Sequence, residues 1–137
     1  MPSEPRHDEE LIAIYRDAIR LRHALLPYLA KHADVAARTG LPLARAIVFE
    51  HPADPGWWNV WDQYLLGDDL LVAPVWKMGV REREVRLPPG TWEDFWERTR
   101  RFQGPATIRA AAPLDRIPVF VRAGATLPSP PATGSEK

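Results

Sequence analysis

Proline is unevenly placed in this chain, and its placement limits the fold more than any other feature. Between residues 6 and 41 only Pro27 occurs, whereas eleven of the fifteen prolines lie at or beyond Pro52. Proline fixes φ and cannot donate a backbone hydrogen bond, so it is confined to turns, strand edges and first helical turns. The first part of the chain is therefore open to one long helix. The second part is restricted to short strands and turns.

Residues 8–38 carry the matching helical pattern. Leu11, Ile14, Tyr15, Ala18, Leu21, Leu25, Leu29 and Ala33 recur at three- and four-residue spacing as one apolar stripe, with Arg16, Asp17, Arg20 and Lys31 off it. Asp8 suits the N-cap, Glu9 and Glu10 suit the positive end of the helix dipole, and Gly40 suits the first position past the C-terminus. Pro27 predicts a kink. Leu43–Phe49, with β-branched Ile47 and Val48, reads as a buried strand of the parallel type. His51–Gly56 is a loop by its punctuation, and Trp57–Leu66 reads as a short helix with its tryptophans turned inward.

The texture changes at Gly67. Leu70–Val75, Arg83–Leu87, Trp92–Trp96, Thr107–Arg109, Ile117–Val121 and Ala125–Leu127 read as strands, with turns at Pro88-Pro89-Gly90 and at Gly124. They predict a small antiparallel sheet or sandwich over residues 68–128, followed by a disordered tail over 129–137. The fold class is α+β. One helix and one strand do not cover the helix's apolar stripe, so residues 1–67 read as a piece of an α/β architecture.

Composition removes several functions. Eighteen basic residues balance eighteen acidic ones, which leaves no electrostatic footprint for nucleic acid or for an anionic membrane. With no cysteine there is no disulfide, no thiolate metal site and no cysteine nucleophile. No run approaches the roughly 18 apolar residues of a membrane span, and the polar, acidic stretch Met1–Glu10 is unlike a signal peptide, so a cytoplasmic setting is expected. His23 and His32, nine apart on the helix, do not have metal-chelating spacing. Neither a metal nor a cofactor is expected.

Seven segments occur in a recognisable order. They are R-L-R-H-A-L-L-P-Y-L (20–29), G-L-P (40–42), D-Q-Y-L-L-G (62–67), D-L-L-V-A-P-V (69–75), L-P-P-G-T-W (87–92), D-F-W (94–96) and A-P-L-D-R-I-P-V-F-V-R-A-G (112–124). Together they resemble the C-terminal region of glycoside hydrolase family 31, the α-glucosidases and α-xylosidases, over residues 10 to 128. The resemblance implies a (β/α)8 barrel that ends within residues 1–67, in a helix, strand and short helix, followed by a proximal β-sandwich over 68–128. It also implies retaining hydrolysis of α-glycosides by two aspartates, one in a motif like W-x-D-x-N-E and one in a motif like H-W-x-G-D. Neither motif occurs in this sequence, and neither does the family's H-G histidine motif. Trp61 stands where an acidic residue is usual in the family, and His51 where an aromatic one is.

No catalytic residue is therefore assigned. Asp68 and Asp69 are adjacent, and neighbours entering a strand point to opposite faces, so they read as turn and strand-start residues. Asp62 and Asp115 read as caps or ion-pair partners. Glu50 and His51, at the end of the predicted strand, are the candidates for proximity to substrate, because barrel active sites form at that end. Trp57, Trp58 and Trp61 read either as packing between domains or as a sugar-stacking platform. Arg98, Arg100 and Arg101 read as a solvated basic loop. The partners expected are the barrel part of the enzyme or a second copy, through the 8–38 helix, with carbohydrate bound only in the full enzyme. Two other readings stay open: an interaction protein docking through the helix, and a noncatalytic carbohydrate-binding β-module.

Overall fold

The apolar spacing of the first third folds as expected. The computed structural model describes residues 5–130, with side chains from Glu9 onward, and its first element is a helix, α1, at Pro5–Thr39. It begins upstream of Asp8, which is therefore not the N-cap; Pro5, with φ already set for a helix, stands at the first helical position instead. The helix continues through Pro27. It ends at Gly40, whose φ of +76° lets its amide donate back to the Ala36 carbonyl at 2.9 Å. No helix among the described residues is long and apolar enough to cross a membrane. The predicted tail falls, beyond Pro130, outside the described residues.

After α1 come β1 (Ala44–Arg45), β2 (Tyr64–Leu66), β3 (Leu70–Val72), β4 (Glu82–Asp94), β5 (Arg101–Ala111) and β6 (Val119–Arg122). They form one six-stranded sheet in the order β1-β2-β3-β6-β4-β5, antiparallel at every pairing. The α+β class and the antiparallel sheet are as the sequence suggested. The strand at Leu43–Phe49 is not. Only Ala44 and Arg45 pair, antiparallel to Leu66 and Leu65, and Ile47–Phe49 is a 3-10 turn. Ile47 turns into the core at 0% exposure, and that burial overrides the strand preference of a β-branched residue.

The helix expected over Trp57–Leu66 is absent. Pro55–Trp57 is a 3-10 turn capped by Asp54, whose carboxylate accepts from the Gly56 amide at 2.8 Å, and Tyr64–Leu66 is β2. Trp57 alone of that cluster goes inward. Ala125–Leu127 is not a strand either; Ala125 donates to the Arg122 carbonyl in a turn at Gly124.

Pro88-Pro89-Gly90 is not a turn but lies within β4. Leu87 faces Ala106 and Gly90 faces Gly104, so β4 carries one residue more than β5 over this stretch. The two prolines sit where the ladder is already interrupted and their missing N–H groups cost nothing. The Pro88 carbonyl that this frees accepts from the buried Trp92 indole at 3.0 Å. Gly104 is dictated by the same bulge, since a Cβ there would lie 1.9 Å from the Pro88 oxygen.

The sheet curls over a core of Ile47, Trp57, Leu65, Leu71, Val85, Leu87, Trp92 and Phe120. Gln63 closes the curl through its side chain: the amide donates to the Arg86 carbonyl at 2.6 Å and accepts from the Arg86 amide at 3.0 Å. A second cluster, Leu70, Phe95 and Val121, takes Leu21, Leu25 and Tyr28 of α1 against it. The apolar stripe of α1 is thus split. Leu21, Leu25 and Leu29 turn toward the sheet, while Leu11 and Tyr15 stay 65% and 68% exposed, with Ile19, outside the stripe, 40% exposed.

Candidate functional site

The turn that joins β2 to β3 gathers polar contacts from distant parts of the chain. Tyr28 of α1 donates its hydroxyl to the Leu66 carbonyl at 2.7 Å and accepts from the Asp69 amide at 3.0 Å. Burial is the main reason its pKa is pushed up to about 12. Between those contacts Gly67, at φ +65°, leaves room for the Tyr28 oxygen, which would stand 2.4 Å from a Cβ. Asp68 accepts from buried Arg45 at 3.1 Å and lies 3.9 Å from Nδ1 of buried His32, whose ring nitrogens have no protein hydrogen-bond partner. From β6, Arg122 donates through Nε to the Asp68 carbonyl at 3.1 Å.

Arg122 also reaches the sequence-predicted pair. Its Nη2 binds Glu50 at 3.0 Å, and its guanidinium lies 4.6 Å over the ring of Trp92. Stacking on the indole fixes the fork, so the Glu50 carboxylate is held by a pre-positioned partner. His51 follows with its ring 6.1 Å from that of Trp57 and its Nε2 buried without a hydrogen-bond partner. Glu50 and His51 therefore sit at the junction of the 3-10 turn, β6 and the β2–β3 turn.

Asp62, Asp94 and Asp115 have partners elsewhere. Asp62 pairs with Arg83 at 3.0 Å and Asp115 lies 3.8 Å from Arg116, while Asp94 accepts from the amides of Trp96 and Glu97 at 2.8 and 3.2 Å. Asp68 and Asp69 occupy the turn ahead of β3, as the sequence suggested. Among the described residues no three His, Asp or Glu side chains gather as a metal site.

Of the tryptophan cluster, Trp57 is buried with the Arg86 guanidinium 4.2 Å over its ring. Trp58 and Trp61 are exposed, and Trp61 pairs with Trp76 instead, a residue whose partner lies on another loop and which the sequence reading did not single out. The basic loop also holds a function that charge counting missed. Arg98 and Arg101 clamp the buried Glu93 carboxylate of β4 at 3.1 and 2.9 Å. Arg100 reaches only Glu97, at 3.9 Å. Alternation along β4 could not reveal this, since it puts Glu93 on the face opposite buried Trp92, and yet both are buried. An apolar cavity of about 420 Å³ lies between α1 and the sheet side, walled by Leu21, Leu25, Leu29, Trp96, Leu114 and Ile117.

Comparison with known proteins follows this geometry. Residues 40–127 match the model of the family described as "Glycosyl hydrolase family 31 C-terminal domain". An isomaltosyltransferase of Sporosarcina globispora is 38% identical over 121 residues, which is 88% of this chain and 11% of that protein. A solved family 31 dextranase of Flavobacterium johnsoniae, complexed with glucose, superposes with a TM-score of 0.80 at 41% identity, covering 83% of this chain and 14% of that one. A family 31 α-xylosidase from a soil metagenome, complexed with xylose, gives a TM-score of 0.79 at 39% identity over 82% of this chain and 17% of that one. The chain spans 11%, 16% and 18% of the length of three curated relatives.

Proposed function

The chain belongs to glycosyl hydrolase family 31, and from that premise we propose that it works as the C-terminal part of a retaining enzyme that cleaves α-glucosides or α-xylosides. The observation that supports this most is the ratio of coverages: the relationship takes in 88% of this chain but 11% of the isomaltosyltransferase. In this reading α1 finishes the (β/α)8 barrel and the sheet is the proximal β-domain. The hydrogen bonding of β1 and β2 into the same sheet as β3 favours a division near Gly40, where the family match begins, over one at residues 67/68.

Retaining hydrolysis needs two carboxyl groups about 5–5.5 Å apart across the scissile bond, one of them free to attack. Asp62, Asp68 and Asp94 are each engaged by a guanidinium or by backbone amides. Neither of the family's two aspartate motifs occurs in this sequence, so alone the chain is noncatalytic, and Glu50 and His51 take a place beside substrate only when the barrel is present. The exposed face of α1 at Leu11, Tyr15 and Ile19 is then the surface that meets the barrel. Its apolar area favours burial against a partner by several kcal/mol at about 25 cal/mol per Å², before association costs.

The test is turnover of aryl α-glucosides and α-xylosides. The purified chain is expected to match buffer, and to restore turnover when co-produced with a family 31 barrel lacking its own C-terminal region. Turnover by the chain alone, abolished by replacing one of its aspartates, overturns the proposal.

A further inference from the structure

Two loops, residues 58–62 and 74–80, bring a pair of tryptophans together. Trp61 and Trp76 are 73% and 57% exposed, with ring centroids 5.1 Å apart and planes inclined at 53°. The Lys77 ammonium lies 4.9 Å over the Trp76 ring. Beside Trp76 opens a cavity of about 290 Å³ bordered by Asp62, Lys77, Glu82 and Arg83. Its polar wall is already set: Arg83 pairs with Asp62 at 3.0 Å and donates to the Asp62 carbonyl at 2.8 Å. Large exposed indoles next to one another are uncommon on a surface with nothing to bind.

We propose that Trp61 and Trp76 form a binding surface for an α-linked pyranose oligosaccharide, on the β-domain itself. Three features select this ligand. Indole rings present broad apolar faces that suit the C–H face of a pyranose, and the charged groups at the rim suit its hydroxyls. A dry protein interface fits less well, because it strips water from Lys77, Glu82 and Glu84, all exposed around the pair. The inclination of the two planes then chooses the linkage. A β-1,4-linked chain is the flatter ribbon and suits rings closer to coplanar, whereas an α-linked chain bends and turns successive sugar faces more steeply relative to each other. The site requires neither the barrel nor the catalytic aspartates, so it stands or falls apart from the hydrolytic reading.

The experiment follows the tryptophan indole N–H resonances of the full chain during titration with isomaltotriose, maltotriose and cellotriose. At least one α-linked trisaccharide is expected to shift Trp61 and Trp76 saturably, cellotriose to shift neither, and buried Trp92 to stay still. Trp61→Ala and Trp76→Ala are each expected to weaken binding about tenfold, the loss of one stacked ring. Both residues are exposed, so the variants keep the fold, which circular dichroism checks. The proposal is overturned if no α-linked trisaccharide moves the two resonances, if cellotriose moves them equally, or if both variants bind as the parent does. Resonances that move with protein concentration alone assign the pair to a second copy and overturn it as well.

Discussion

Replacing Tyr28 with phenylalanine removes one oxygen and asks whether α1 is fastened to the sheet as the geometry requires. That oxygen satisfies the Leu66 carbonyl at 2.7 Å and the Asp69 amide at 3.0 Å, the two backbone groups flanking the β2–β3 turn. The ring itself stays, 4.4 Å from His32, so little cavity is created. Each hydrogen bond contributes about 1 kcal/mol net, and a backbone group left without a partner costs about 1–3 kcal/mol more. Tyr28 is half-buried, so water recovers part of this, and a loss of about 2 kcal/mol is expected. With a urea slope of about 2 kcal/mol per M, the midpoint falls by about 1 M. All six tryptophans lie beyond residue 56, so fluorescence reports the sheet while far-ultraviolet dichroism reports α1. Both transitions are expected to move together. A midpoint change below about 0.2 M, or two transitions that separate in the parent chain, refutes the joint. Alkali gives a second reading. The unfolded chain releases the Tyr28 proton near its ordinary pKa of 10 and the folded chain near about 12. Tyr28's contribution is therefore whole below pH 10 and is lost as pH rises toward 12, so parent and variant converge over that window.

Two other substitutions probe the bulge and the open helix face. Gly104→Ala sets a Cβ 1.9 Å from the Pro88 oxygen, so β4 and β5 must part; a loss of about 3 kcal/mol, near 10 °C in Tm, is expected, and an unchanged melt refutes the bulge geometry. Ile19→Glu on the exposed face is expected to reduce self-association by light scattering at unchanged stability, whereas Leu25→Glu, which packs on Leu70, Phe95 and Val121, is expected to destabilise by about 2–4 kcal/mol. If the two behave alike, the helix is not divided between sheet and solvent.

What was legible in the sequence was legible because it is local. The spacing of Leu21, Leu25 and Leu29 and the glycine at position 40, with its φ of +76°, are decided within a few residues, and α1 follows from them. The alternation over Arg83–Leu87 gave the first part of β4 in the same way. Pro88-Pro89-Gly90 was misread because a turn and a bulge use the same residues. What separates them is Gly104, on the partner strand, which leaves space for the Pro88 carbonyl. At Ile47 and Trp57 the burial is as expected and the local conformation is not: each enters the core from a 3-10 turn, where packing against strands distant in sequence overrides the local preference.

The same distinction explains why the sequence motifs identify a family and leave the site dark. The 20–29 segment supplies Tyr28, which closes on the backbone of Leu66 and Asp69. The 62–67 segment supplies Gln63, which closes the curl of the sheet, and Gly67, which makes room for the Tyr28 hydroxyl. The 112–124 segment supplies Arg122, which reaches the Asp68 carbonyl and, 72 residues back, Glu50. The 87–92 segment supplies the bulge and the Trp92 ring on which Arg122 rests. Four motifs scattered along the chain thus meet at one joint between helix, turn and sheet. Their chemistry is that of fastening: hydroxyl to carbonyl, guanidinium to carboxylate, glycine to a close approach. Choosing among glycosides depends instead on what faces the sugar, and the only exposed aromatic pair among the described residues, Trp61 with Trp76, lies outside the joint.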